Sequence, residues 1–249
     1  MRPAEPAPIL QGFVERLGAV RERIARAAER SGRDPAAIVL VGASKVVAIE
    51  RLREATAAGL SDLGENRVQE ARDKIAALAD VLPRVRWHLI GHLQSNKAKL
   101  AATLFDWVHS VDSAAIVREL DRRAAEAGRR IAVLVEVNTS GERSKFGVAP
   151  GAEIDLLRAL AAGSALEPRG LMTVGPLTDD VEDSRPAYRL LAERLREAQR
   201  AVPGARLDQL SMGMSGDFEV AIEEGATMVR VGTALFGPRP LPGADRGGT

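Results

Sequence analysis

The chain has 249 residues, of which 45% are hydrophobic and only 3% aromatic, so its core is predicted to consist mainly of Val, Leu, Ile and Ala. Its formal net charge of +1 gives no electrostatic drive toward nucleic acid or an anionic membrane. The absence of cysteine excludes disulfides, thiol catalysis and cysteine-ligated metals. No signal peptide or membrane-spanning run is evident, and we expect a cytoplasmic protein with no nucleic-acid or membrane partner.

The first predicted element is an amphipathic helix over residues 12–30, in which Phe13, Leu17, Val20 and Ile24 recur at helical spacing. Short β-branched runs then alternate with segments rich in Ala, Leu, Arg and Glu. The predicted strands cover residues 37–43, 60–64, 86–91, 107–111, 131–138, 167–174, 208–212 and 228–234. The predicted helices cover residues 47–58, 66–80, 96–104, 113–127, 151–162, 184–201 and 217–224.

This alternation predicts an α/β protein with a single TIM-type (β/α)8 barrel and an extra N-terminal helix. The alternative is a doubly wound open sheet. It is disfavoured because no G-x-G-x-x-G follows the first strand and no switch point is evident. No linker-like stretch divides the interior, so we expect one domain over residues 1–249. Its ordered core should run from about residue 10 to residue 238, between flexible termini rich in Pro and Gly.

Functional residues of such barrels lie just after the strands, and the unusual polar residues of this chain fall there. Lys45 follows the first strand. Of the 35 basic residues only five are lysines, which suggests that Lys45 does something arginine cannot do. One such task is to lose its proton and attack a carbonyl group. The alternative is that Lys45 is a solvated loop residue.

The loops after the last two strands are candidates for a phosphate site. Residues 211–215 (SMGMS) and Gly232-Thr233 offer hydroxyl groups and glycines at the positions where such barrels bind phosphate. The alternative is that both are ordinary turns of small residues. Arg230 lies in an apolar strand and needs either an acidic partner from a neighbouring strand or a ligand. A lysine and a phosphate site at neighbouring strands fit pyridoxal 5′-phosphate (PLP), with Lys45 as the Schiff base and Arg230 at the pyridine nitrogen.

Seven motifs in one order resemble the YggS/PROSC family of pyridoxal phosphate homeostasis proteins. They are VGASK, LGENRVQEA, WHLIGHLQSNK, VNTSGERSKFGV, GLMTVGPL, LSMGMSGDFEVAI and MVRVGTALFG, and they extend from about Ile38 to Gly237. The resemblance implies a barrel similar to the N-terminal domain of alanine racemase, with PLP bound through Lys45. It also implies that Asn66 lies beside the cofactor ring and Arg230 against the pyridine nitrogen. The residues implied at the phosphate are Ser215, Gly232, Thr233, Ser211 and Met214.

The expected function is buffering or delivery of PLP by a monomer, with apo forms of PLP-dependent enzymes as candidate recipients. The main alternative is an amino-acid racemase with weak activity, and a scaffold without a ligand is a third. Racemisation needs an acid or base on both faces of the cofactor. The resemblance implies that alanine racemases take their second base, a tyrosine, from another domain. The only tyrosine here, Tyr188, is predicted on a helix distant from the C-terminal face, and the chain ends soon after the barrel.

The remaining candidates have open alternatives. His88 and His92 could form part of a metal site, although no third ligand is suitably spaced, or could line the cofactor cavity. His109 is expected to be structural. Lys97 and Lys145 either meet anionic ligands or are solvated. Glu65 either caps the helix that follows it or pairs with a nearby cation.

Overall fold

The structure, a computed structural model, describes residues 8–79, 85–142 and 144–238. The Pro- and Gly-rich ends that are predicted to be flexible lie largely outside these ranges. Eight strands form a closed parallel barrel in chain order. They are β1 (Val39–Ala43), β2 (Asp62–Glu65), β3 (Arg86–Leu89), β4 (Trp107–Val111), β5 (Ile131–Glu136), β6 (Leu166–Met172), β7 (Gln209–Ser211) and β8 (Met228–Val231).

Closure of the barrel decides between the two predicted folds. Strand β1 pairs in parallel with β8, from Val39 opposite Met228 to Gly42 opposite Val231. An open doubly wound sheet has no such pairing of its first and last strands. The TIM-type barrel is therefore confirmed. Its closure also places the residues after β1 beside those after β8.

Helices surround the barrel. Within the described residues they are α1 (Pro8–Arg30), α2 (Ile49–Ala57), α3 (Val68–Leu78), α4 (Ala98–Leu104), α5 (Ala114–Glu126), α6 (Glu153–Ala161), α7 (Arg185–Ala201), α8 (Phe218–Glu223) and α9 (Thr233–Phe236). The extra N-terminal helix α1 packs on α8 and α9, where the rings of Phe13 and Phe236 lie 5.6 Å apart. Arg23 pairs with Glu219 at 2.7 Å and extends this contact at the helix surface.

Seven of the eight predicted strands differ from the structure at one or both ends, and two of these differences lie near the predicted site. The strand predicted over residues 228–234 ends at Val231, and Thr233 begins α9. The amide groups of Leu235 and Phe236 both donate to the carbonyl oxygen of Gly232 at 2.9 Å, so helical hydrogen bonding starts there. The strand predicted over residues 131–138 ends at Glu136. Beyond it, Val137 forms an isolated bridge with Val148 and donates its amide N–H to the carbonyl oxygen of Met172 at 2.9 Å.

The barrel separates two buried regions. Apolar side chains between the strands and the helices form the larger core. A smaller cluster contains Trp107, Leu134, Met172 and Met228. Since successive side chains of a strand point to opposite faces, the same alternation carries His109 and Arg230 to the face of Trp107 and Met228. None of the helices in the described ranges has the length and apolarity that a membrane crossing requires.

Candidate functional site

Lys45 lies in a tight turn directly after β1. The amide of Val47 donates to the carbonyl oxygen of Ser44 at 3.0 Å, which closes the turn around Lys45 and Val46. Val46 has a φ of 57°, a left-handed conformation that is unfavourable for a β-branched residue. Such backbone strain costs about 1–3 kcal/mol and persists only where surrounding contacts impose it. The turn that carries Lys45 is therefore held in place by its neighbours.

Helix α3 supplies these holding contacts through Lys74 and Glu70. The Lys74 Nζ donates to the carbonyl oxygen of Ser44 at 2.7 Å and to Glu70 Oε1 at 2.9 Å. Glu70 Oε1 in turn accepts the amide N–H of Val46 at 2.8 Å. Since Ser44 O and Val46 N belong to the two peptide groups that flank Lys45, α3 fixes the backbone on both sides of it.

Glu65 also belongs to this cluster. Its contacts decide between the two alternatives left open by the sequence, which were capping of the following helix and pairing with a cation. Its Oε1 accepts from Lys74 Nζ at 2.7 Å and from Ser44 Oγ at 2.6 Å, so it pairs with a cation. Burial raises the pKa of Glu65, against the opposing effect of the hydrogen bonds from Lys74 and Ser44. Burial also acts to raise the pKa of Glu70, but the hydrogen bonds from Lys74 and Val46 outweigh it and the pKa is lowered.

Lys74, which the sequence analysis did not single out, is a residue of α3 that holds the turn of Lys45. It is 6% exposed, which is unusual for lysine, and it makes two ion pairs. The available signal was its position four residues after Glu70 on one helix, a spacing at which opposite charges meet. That spacing alone did not distinguish it from the many surface pairs of this chain.

The loops after β7 and β8 are joined by Ser215. Its Oγ accepts the amide N–H of Gly232 at 3.1 Å and that of Ala234 at 3.4 Å. In the same loop Gly213 has a φ of 91°, and a Cβ atom there would lie 2.6 Å from the Cβ of Ala221. Only glycine fits at this point. The amide of Met214 donates to Asp217 Oδ1 at 2.7 Å and fixes the following turn.

Lys45, Gly232 and Thr233 line one cavity at the C-terminal ends of β1 and β8, together with Arg51 and Phe236. The structure thus places Lys45 in the same cavity as the predicted phosphate-binding residues that follow β8. Asn66 instead lines a neighbouring groove with His92 and Lys97.

Arg230 is 5% exposed and bonds to one residue of β7 and to the residue that follows β6. Its Nη1 donates to Ser211 Oγ at 2.6 Å, and its Nη2 donates to the carbonyl oxygen of Thr173 at 2.8 Å. Within residues 8–79, 85–142 and 144–238, no carboxylate lies within salt-bridge distance of Arg230. The direct ion pair considered from the sequence is therefore not found there. Burial lowers the pKa of Arg230.

His88 and His92 lie in different environments. His88 is fully buried, and its ring nitrogens lie 2.9 Å from Asp62 Oδ1 and 2.9 Å from His109 Nε2. His92 is exposed, stacks on Phe146 with ring centroids 3.9 Å apart, and has its Nδ1 3.2 Å from Asp112 Oδ2. The two rings therefore belong to separate contacts, one inside the barrel and one at its surface.

Tyr188 corrects one prediction. Its hydroxyl donates to Asp217 Oδ2 at 2.6 Å, and Asp217 lies in the loop between β7 and α8. The expectation that Tyr188 is distant from the C-terminal face is wrong. Helices of this barrel begin at that face, and Tyr188 is the fourth residue of α7. Burial and the neighbouring Asp217 raise the pKa of the Tyr188 hydroxyl.

Two further charged residues, Lys145 and Glu136, lie at the C-terminal face of the barrel. Lys145 Nζ donates to the carbonyl oxygen of Gly175 at 2.8 Å and pairs with Glu142 at 2.7 Å, so it is not simply a solvated lysine. Glu136, which the sequence analysis did not single out, ends β5 and is 6% exposed. Burial and the negative charge of Asp112 raise the pKa of Glu136 to about 7.

Comparison with known proteins agrees with this architecture. The sequence profile of the family described as "Alanine racemase, N-terminal domain" matches residues 16–240. A protein of Aquifex aeolicus named pyridoxal phosphate homeostasis protein is 46% identical over 225 residues, which cover 90% of this chain and 97% of the relative.

Two solved structures extend the comparison. PipY of Synechococcus elongatus PCC7942, solved with PLP bound, has a TM-score of 0.79 at 39% identity and matches 90% of this chain and 100% of its own. Alanine racemase from Corynebacterium glutamicum shares the fold at 18% identity, with a TM-score of 0.64 over 93% of this chain and 64% of its own. Fold, profile and relatives agree that the chain belongs to the family of the pyridoxal phosphate homeostasis proteins.

Proposed function

We propose that this protein binds PLP as a Schiff base on Lys45 and buffers or delivers it to other proteins. The observation that carries the proposal is the cavity that Lys45 shares with Gly232 and Thr233. It places an amine and candidate phosphate-binding groups together, which matches a cofactor with an aldehyde and a phosphate. The PLP bound to PipY and the name of the Aquifex relative support the same ligand.

The residues present fit PLP chemically. Arg230 is a buried guanidinium, and its contacts with Ser211 and Thr173 account for two of its five N–H donors. Donors therefore remain for the pyridine nitrogen, and since arginine only donates, that nitrogen would stay unprotonated. Bound PLP supplies an aldehyde that forms an imine with an amine and a ring that withdraws electrons from it. Arginine at the ring nitrogen weakens that withdrawal.

The predicted phosphate residues have distinct tasks in this proposal. We assign Ser215, Gly232 and Thr233 to the phosphate; the amide of Gly232 and the hydroxyl of Ser215 lie next to each other, bonded at 3.1 Å. The backbone amide of Met214 is used by Asp217, so Met214 contributes to the shape of the loop. The hydroxyl of Ser211 lies against Arg230 and serves the pyridine end of the site. We assign Asn66 to the edge of the cofactor ring, beside the groove that it lines with His92.

Tyr188 argues for a carrier over a racemase. A second catalytic base must accept a proton on the cofactor face opposite Lys45. The Tyr188 hydroxyl is buried and donates a hydrogen bond to Asp217, and burial and Asp217 raise its pKa further above neutral. It therefore secures the loop after β7 and does not provide that base. We further propose a single-domain monomer that passes PLP to apo forms of PLP-dependent enzymes.

The test is a titration of the purified protein with PLP, followed by visible absorption, borohydride reduction and peptide mass mapping. We expect a yellow complex that bleaches on reduction and leaves a pyridoxyl group on Lys45. Lys45→Arg keeps the charge but cannot form an imine, so it should lose the absorption band. Lys99→Arg, at an exposed position of α4, is the matched control and should behave as the parent protein.

Two further outcomes would contradict the proposal. Mapping of the pyridoxyl group to Lys97 or Lys145 would reject Lys45 as the binding residue. Turnover of an alanine enantiomer faster than PLP passes to an added apo-aminotransferase would reject the carrier role and favour a racemase.

A further inference from the structure

A continuous chain of hydrogen bonds crosses the inside of the barrel from Asp62 to Arg230. Asp62 Oδ1 lies 2.9 Å from His88 Nε2, and His88 Nδ1 lies 2.9 Å from His109 Nε2. His109 Nδ1 lies 2.9 Å from Ser211 Oγ, which accepts from Arg230 Nη1 at 2.6 Å. The chain joins β2, β3, β4, β7 and β8. Because β4 and β7 are not neighbours, the bond from His109 to Ser211 spans the interior.

The two ends of the chain fix its direction. Arginine can only donate, so the oxygen of Ser211 accepts at that end. Although burial acts to raise the pKa of Asp62, hydrogen bonds from His88 and Arg86 lower it to about 2, so Asp62 is ionised and can only accept. With neutral rings, one arrangement satisfies every contact. His88 carries its proton on Nε2, His109 carries its proton on Nε2, and Ser211 donates its hydroxyl to His109 Nδ1.

The surroundings keep both rings neutral. Burial lowers the pKa of His88, against the opposing effect of Asp62, and burial lowers the pKa of His109 well below its usual value. The charged and titratable groups that face His88 are Asp62, Arg86, Asp106 and His109, and those that face His109 are His88 and Arg230. A proton on His88 would reverse the bond to His109 and withdraw the acceptor that Ser211 uses.

We propose that Asp62 anchors a hydrogen-bonded chain of fixed direction, through His88, His109 and Ser211, that positions Arg230 for the pyridine end of the cofactor. In this role His88 and His109 are positioning residues that do not touch the ligand. Every hydrogen bond of this chain has its donor on the Arg230 side and its acceptor on the Asp62 side. The bonds therefore polarise one another in the same direction. The negative charge of Asp62 thereby makes Ser211 a better acceptor for the buried guanidinium. The inference rests on the proposed PLP site.

The direction of the chain can be tested without any ligand. The sequence contains three histidines, so ¹⁵N NMR of the ring nitrogens gives three separable spin systems. We expect His88 and His109 to show a protonated Nε2 and an unprotonated Nδ1, with no change between pH 5.5 and pH 8. A protonated Nδ1 on either ring, or titration of His88 in that interval, would overturn the fixed direction.

Variants test whether the chain acts on Arg230. His109→Leu removes the acceptor of the Ser211 hydroxyl, and we expect PLP affinity to fall about tenfold with a shifted visible absorption maximum. Asp62→Asn keeps the shape but offers a donor as well as an acceptor. For this variant we expect mixed tautomers of His88 and His109 and a PLP affinity about threefold lower than that of the parent protein. This test does not depend on whether His109→Leu folds. Glu193→Gln, at an exposed position of α7, is the control and should match the parent protein.

The outcomes separate this inference from the proposed function. If PLP does not bind the parent protein, the proposed function fails. The hydrogen-bonded chain from Arg230 to Asp62 is then tested by the NMR spectrum of the apo protein alone. If PLP binds but Asp62→Asn leaves the tautomers, the affinity and the absorption maximum unchanged, the positioning role of Asp62 is wrong. Unchanged PLP binding by a folded His109→Leu variant would reject the role of the hydrogen-bonded chain in positioning Arg230.

Discussion

At the scale of single residues, the contacts of one buried lysine organise the most strained turn of the site. Lys74 neutralises Glu65 and Glu70 and holds the carbonyl oxygen of Ser44. Removing one member of a buried charged group leaves its partners unpaired, which costs about 3–5 kcal/mol. The arrangement explains how Val46 keeps a left-handed backbone next to Lys45.

Lys74→Met is therefore expected to lower the free energy of unfolding by about 3 kcal/mol at pH 7 and PLP affinity by about tenfold. Without Lys74 the pKa of Glu65 rises further, so the folded state keeps a proton that the unfolded chain releases. The loss of stability should accordingly be smaller at pH 5 than at pH 7. Urea unfolding at both pH values and a PLP titration would measure these effects.

The second variant distinguishes charge from packing. Lys74→Met combined with Glu65→Gln removes the unpaired charge and should recover more than half of the lost stability. Lys99→Met, at an exposed lysine, should change little. Equal instability of the single and double variants would show that the packing of Lys74, and not its charge, is what matters.

At the scale of elements, the β7–α8 connection positions the proposed phosphate loop. Gly213 sits where the backbone passes closest to α8, and a Cβ atom at this residue would lie 2.9 Å from Phe218 Cα and 2.6 Å from Ala221 Cβ. Asp217 accepts the hydroxyl of Tyr188, which links the loop to α7, and it accepts the amide N–H of Met214 within the loop. The loop is therefore fixed by two helices as well as by its own strand.

Gly213→Ala is expected to destabilise the protein by about 3 kcal/mol and to weaken PLP binding, because the new methyl group pushes α8 away from β7. Gly216→Ala lies in the same loop with no atom within 4 Å of its added Cβ and should be nearly neutral. Thermal unfolding and PLP titration of both variants provide the measurement. Similar behaviour of the two variants would mean that close packing at Gly213 does not set the loop.

At the scale of the whole molecule, the barrel holds ionisable groups whose effects on stability oppose each other. Glu136 has a folded pKa of about 7, raised by burial and Asp112. The folded state therefore retains a proton that the unfolded chain loses, and stability falls as pH rises from about 4.5 to 7. His88 and His109 have lowered folded pKa values, so their contribution is present above about pH 6.5 and is lost as pH falls.

Glu136→Gln should isolate the first effect. We expect the variant to be more stable than the parent protein at pH 8 by about 3 kcal/mol, and similar to it at pH 5, where Glu136 is protonated. Glu193→Gln, at an exposed position of α7, is the control and should show no such difference between the two pH values. A Glu136→Gln variant equally stable relative to the parent at both pH values would contradict the raised pKa.

The order of strands and helices, the preference for a barrel over an open sheet and the position of Lys45 after β1 could be predicted from the sequence alone. These follow from hydrophobic periodicity and from the rule that a barrel presents its functional residues after its strands. The sequence also indicated Arg230, because a charged residue in an apolar strand is visible in one dimension. The family resemblance supported PLP, which Lys45 and the loops after β7 and β8 already indicated, and it added the role of Asn66.

Which distant side chains meet depends on the three-dimensional fold. Glu65 and Lys74, His109 and Ser211, and Tyr188 and Asp217 are each separated along the chain by a distance that no local pattern connects. The prediction for Tyr188 was wrong because it did not use the position of Tyr188 near the start of α7, at the end of the barrel where its helices begin. The direction of the chain from Arg230 to Asp62 likewise depends on closure, which brings β4 opposite β7 and so links charges on strands far apart in sequence.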